Sequence, residues 1–188
     1  MAMKKIGQMT LLALLLGSGV AQAERNANVQ ITGNIVTNTC DLFIPQSSYD
    51  LGNHAPDEFG KNGSANLVGQ HQFILTVKNC VGTLANKGDL LSLQVNEMWN
   101  TNHADVQNFY GADNGTNAGI VLAMKGGVPV FARQVSPVHP TYDIYAAKND
   151  GESLTGLQWP IVVTAEMSAV AVPNPGAIKA NLQFTMAE

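Results

Sequence analysis

Cys40 and Cys80 are the two cysteines of the sequence. In an oxidising compartment an even count implies a disulfide, and a bridge across a ring this long adds up to about 4 kcal/mol in the loop-entropy account. The other reactive side chains do not gather into a constellation. His54, His71, His103 and His139 are scattered, with no HExxH and no paired ligand spacing. His103-Ala104-Asp105 lies in an Asn-rich stretch and reads as solvated loop. Asp57-Glu58 are neighbouring carboxylates on a turn, and Asn149-Asp150-Gly151 lacks the remaining oxygen ligands of a calcium loop. Asn62-Gly63-Ser64 and Asn114-Gly115-Thr116 fit a glycosylation acceptor and fit ordinary turns equally well. GxSxG, P-loop and GxGxxG patterns are absent. The sequence therefore supports no enzyme, no cofactor and no metal centre.

A chain without a catalytic constellation has to be read through its elements, beginning with what is removed. MAMKKIGQMTLLALLLGSGVAQA has basic Lys4 and Lys5, an apolar run from Met9 to Leu16, and an Ala21-Gln22-Ala23 end. That is the layout of a secretory signal peptide, cleaved after Ala23. The apolar run is well short of the roughly 20 residues of a membrane span. Residues 24–188 then form a single domain. Loss of Lys4 and Lys5 and of no acid leaves 8 basic residues, from the original 10, against 14 acidic ones. An acidic exported chain without a basic stripe is unsuited to nucleic acid.

Apolar residues make up 45% of the chain and charged ones 13%, with 18 Gly and 8 Pro, which favours a turn-rich β protein over a helical or disordered one. The pattern agrees, because no sustained helical periodicity occurs outside the signal peptide. Alternation at period two runs through Ala27, Val29, Ile31, Gly33 and Ile35, then through Phe73, Leu75 and Val77 in a strand ending at Cys80. A short strand is expected near residues 49–51, others over 89–99 and 140–148, and a strong one over 158–170, where Ile161, Val163, Ala165 and Met167 alternate. AGIVLAM (118–124) and VPVFARQV (128–135) flank Lys125-Gly126-Gly127 and predict a hairpin. After the VPNPG turn, Ile178, Ala180, Leu182, Phe184 and Met186 alternate with polar residues over 178–186. Eight or so strands separated by turn clusters predict an all-β sandwich.

Three pieces stand in order along the chain: VQITGNIVTNTC; YDLGNHAPDEFGKNGS followed by HQFILTVKNC; and the alternating run after Gly176. Together they resemble the fimbrial (pilin) subunits of the bacterial chaperone–usher pathway, the type 1 and P-pilus class, over nearly all of residues 24–188. The resemblance implies an incomplete immunoglobulin-like β-sandwich lacking its last (G) strand. It implies that a donor strand from another subunit completes the fold. The acceptor groove and chaperone-binding strand would then be Ile178, Ala180, Leu182, Phe184 and Met186. The donor would be residues 24–33, with Ala27, Val29, Ile31 and Gly33 on one face. Implied partners are a periplasmic chaperone, an outer-membrane usher and other fimbrial subunits, in a fimbrium on the bacterial cell surface that supports adhesion. Family members usually end with an aromatic in the penultimate position, whereas here Met186 holds the nearest in-phase place.

Physical reasoning reaches the same requirement without the family. An unpaired edge beside an open apolar groove must be covered, and an added strand satisfies the ladder while dropping alternate side chains into pockets. The alternative is a minor adhesin or adaptor whose Asn-rich loop, with Trp99, Phe109 and Tyr110, contacts a host glycan.

Overall fold

The longest alternating run becomes the longest strand. β2 (Val68–Leu84) turns Leu75 and Val77 fully inward and leaves Ile74 half exposed on the other face, the period-two consequence of a pleated backbone. The protein is seen as a computed structural model, described over residues 38–60, 66–98, 108–111, 115–128 and 130–187. These residues all lie within one compact unit, Ile35–Glu188. The expected signal peptide and the expected donor run of Ala27, Val29, Ile31 and Gly33 lie outside the described residues.

Two antiparallel sheets pack face to face. The first has the order β1 (Asn38–Phe43), β2, β8 (Trp159–Ala169), β4 (Ala118–Lys125), β5 (Arg133–Val135), with the short β7 (Glu152–Ser153) also on β2. The second has the order β6 (Thr141–Ala146), β3 (Leu90–Glu97), β9 (Leu182–Met186). In an immunoglobulin constant-type sandwich one sheet runs A-B-E-D and the other C-F-G. Here β1-β2-β8-β4 follow the first order and β3-β9 give C-F. The fold is thus the expected immunoglobulin-like sandwich, and no described strand occupies the G position beside β9.

The inner faces fill the space between the sheets. Leu75, Leu93, Tyr142, Leu154, Ile161 and Val163 have no exposed surface at all, and each aliphatic among them contributes about 1.5–3 kcal/mol by leaving water. Cys40 and Cys80 are joined at 2.08 Å, tying β1 to β2 beside a register shift between Thr39 and Asp41.

Several boundaries differ from the sequence reading, each for a tertiary reason. β2 runs past Cys80 to Leu84 because β7 supplies partners for Thr83 and Leu84. Residues 49–51 form no ladder; Tyr49 is held by stacking on Phe73 instead. The hairpin after β4 exists, but its second limb is only the three residues of β5. Gly127 and Val128 cross to the other sheet, where Gly127 N–H donates to Tyr142 Oη (3.0 Å) and Val128 N–H to the Asp143 carbonyl (2.9 Å). A Cβ at Gly127 would lie 2.1 Å from that carbonyl oxygen, so the glycine permits close approach rather than a tight turn. β9 is likewise shorter than 178–186: residues 178–180 join no strand and Asn181 is bonded to Met98 just past the end of the ladder, since β3 ends at Glu97, opposite Leu182.

Candidate strand-acceptor groove

Among the described residues, β9 is bonded on one side only. Met98 N–H donates to the Asn181 carbonyl and Ala187 N–H to that of Ser92. Directly opposed antiparallel residues alternate between pairs that exchange backbone bonds and pairs that do not. The register therefore assigns residues 181, 183, 185 and 187 to β3. Leu182, Phe184 and Met186 turn their backbone N–H and C=O the other way, toward an edge that no described strand covers.

Along that edge lies a groove of about 890 Å³. One wall is residues 46–54, which follow β1, and the other is residues 173–182 and Phe184. Its floor comes from the inner faces of the first sheet: Phe73 on β2, Ile120 and Leu122 on β4, Ala165 and Met167 on β8. Tyr49 stacks on Phe73 at 4.4 Å, and Phe73 meets Phe184 edge-on at 6.5 Å, so aromatic rings link the two walls across the floor. The predicted acceptor residues Ile178, Ala180, Leu182, Phe184 and Met186 are all only half buried, and all but Met186 line the groove. Volume alone would also suit a small ligand, since such pockets span roughly 300–1,000 Å³. The unbonded strand edge along the groove and its apolar floor favour an extended chain instead. Asp50, His54 and Lys179 are the acidic and basic residues among those lining it.

The sequence assigns Leu51 to the end of a short strand and Phe59 to a loop, and gives neither a place in the groove. Leu51 and Phe59 line the groove, and Phe59 is 5% exposed against Met167 and Ala118. Ile120, Ala165 and Met167 read as plain core, because their alternation cannot reveal which core face stays open. Phe73 gave the same inward signal and is only half buried for the same reason.

The aromatic loop is arranged differently from the glycan-contact expectation. Phe109 is 9% exposed and packed on Val121, and Tyr110 is fully buried. Tyr110 exchanges backbone bonds with Ile120 (2.9 and 2.8 Å), and the next residue, Gly111, donates to Glu97 Oε1 at 2.7 Å. Burial, with the Glu97 carboxylate adding to it, pushes the Tyr110 phenol far above its usual range. Rings held this way present no face to a sugar. Trp99, His103 and Asp105 lie outside the described residues.

The site thus belongs to a sandwich open at one edge. No family model matches the chain, and no curated protein matches it. Among solved structures the chain is similar to the P pilus rod subunit PapA, with 15% sequence identity and a TM-score of 0.44, over 79% of this chain and 97% of that one.

Proposed function

We propose that this protein is a structural, non-enzymatic subunit of a surface fimbria, polymerising by donor-strand exchange and supporting cell adhesion. One observation carries the reading: the outward backbone groups of Leu182, Phe184 and Met186 face an open apolar groove with no described strand beside them. A strand laid there takes up those hydrogen bonds and inserts alternate side chains over Phe73, Ile120 and Met167. Each Val or Ile so buried contributes about 1.5–3 kcal/mol. The run Ala27, Val29, Ile31, Gly33 has the required period, with Gly33 or Ala27 able to meet a shallow point of the groove. A donor on one surface and an acceptor on another make a heterologous contact, which does not close and so builds a fibre. Before assembly the same groove needs a temporary strand, the role of a periplasmic chaperone, with an outer-membrane usher passing subunits on. Export through the periplasm and the Cys40–Cys80 bridge fit that route.

The test is expression of the protein alone, with a strand-donating chaperone, and with residues 24–33 repeated after Glu188 through a short linker. The chain alone should aggregate, and the other two forms should yield soluble, stable protein. A wild-type chain that is a stable monomer alone and gains nothing from the graft overturns the proposal.

A further inference from the structure

The loop that walls the groove is fastened by one histidine. His54 Nδ1 lies 2.8 Å from Glu58 Oε2, and Nε2 lies 2.9 Å from the Leu51 carbonyl oxygen. A carbonyl oxygen and an ionised carboxylate are both acceptors only, so both ring nitrogens must carry a proton to satisfy both contacts. Neutral imidazole carries one. The geometry points to His54, as the imidazolium, acting as a pH-dependent latch that positions the groove-lining loop, residues 51–59, for the incoming strand. This deepens the strand-acceptor reading and rests on it.

The latch reaches both ends of the loop. Glu58 uses its second oxygen to accept the Ala55 N–H at 2.7 Å, which closes the short 3₁₀ turn Pro56–Phe59. That turn delivers Phe59 to the cluster of Met167, Ala118 and Ile178 beside the groove. At the other end the latch sits on β2: a Cβ at Gly69 (φ +67°) would lie 2.4 Å from the Leu51 oxygen and 2.9 Å from His54 Nε2. The charged or titratable groups around it are few among the described residues. Asp50 accepts the Gly52 N–H, and Asp57 and Glu58 lie on the loop itself. On β2, His71 packs against Tyr49 at 4.9 Å, and on β8 Glu166 accepts from Gln70. Of these, Glu58 is the one in hydrogen-bond contact with the His54 ring.

The sign follows from which form is bonded. The Glu58 hydrogen bond, then that to Leu51, raise the His54 pKa above its ordinary 6.5. Fastening is complete below that ordinary value and is lost as pH rises through the raised one. Neutralisation costs one of the two contacts, and the loop wall loosens.

The experiment uses the full chain purified with its groove filled by a displaceable strand peptide of residues 24–36. Peptide affinity is measured between about pH 5.5 and about pH 8, alongside NMR titration of the His54 ring. Wild-type affinity should fall by roughly threefold across that range, the scale of an exposed charged pair. His54→Gln, which can donate to both acceptors through one amide only with distortion, should bind with a flat profile near the wild type's high-pH value. Peptide that binds with the same pH slope in both proteins, or with no slope in the wild type, overturns the latch. If no peptide binds at any pH, the groove reading falls and the latch's role in strand capture falls with it; the titration still tests the fastening of the loop, which a His54 pKa at or below 6.5 overturns and a raised one, absent after Glu58→Gln, upholds.

Discussion

β8 and β9 carry the same kind of sequence and have different fates. Both alternate apolar and polar residues, and both turn the apolar set toward the space between the sheets. β8 is bonded on both sides, to β2 and to β4, and its Ile161 and Val163 are completely buried. Among the described strands β9 is bonded to β3 alone, and Leu182, Phe184 and Met186 all stay half buried. The contrast continues within β8 itself. Ala165 and Met167, where the strand floors the groove, keep 8% and 7% exposure. Alternation decides which face a side chain takes; neighbours on both edges decide whether water is excluded from it.

The comparison can be broken first at the strand that is complete. Val163→Asp places an unpaired charge at a site with no exposure, so a loss of more than about 4 kcal/mol is expected, seen as failure to recover folded protein. Next comes the bridge that ties β1 to β2. Replacing both Cys40 and Cys80 by Ser should lower stability by about 3–4 kcal/mol in urea denaturation of the strand-filled protein. Retention of wild-type stability would mean that packing alone holds β1 to β2.

Phe184→Asp separates the two strands directly. Because Phe184 is half exposed at an open edge, the domain should lose less than about 2 kcal/mol. Capture by a donor strand should weaken by roughly thirtyfold or more in a pull-down or titration. If the domain instead unfolds as completely as Val163→Asp, β9 is an ordinary core strand and the contrast disappears. The smallest effect is expected on the groove wall. The Tyr49 hydroxyl is buried and has no hydrogen-bond partner among the described residues, so Tyr49→Phe should be neutral or stabilise by up to about 1 kcal/mol while the ring keeps its stack on Phe73. A destabilised variant would mean that the hydroxyl is bonded in solution.

Much of this fold was legible from spacing. β3, β6 and β8 fall within two residues of their expected limits, since each alternates over a half-buried surface and is flanked by turn residues. The reading failed where a distant partner overrode local chemistry. Gly126 and Gly127 look like a turn, yet Gly127 is small because the Asp143 backbone passes over it. Residues 178–180 alternate as well as 182–186 do, yet join no ladder because β3 is already spent. Phe109 and Tyr110 look like loop aromatics free to bind a ligand, but they pack on β4.

The sequence by itself determined the class of architecture, the cysteine pair and the inward face of each main strand, because pleating ties side-chain direction to residue parity. Tertiary structure decided which of those inward faces is closed. That outcome depends on strand order, and strand order puts β9 at an edge with its unbonded backbone groups above Phe73 and Met167. Whether a strand has one neighbour or two is a property of contacts far apart along the chain, and no local pattern in GAIKANLQFTMAE encodes it.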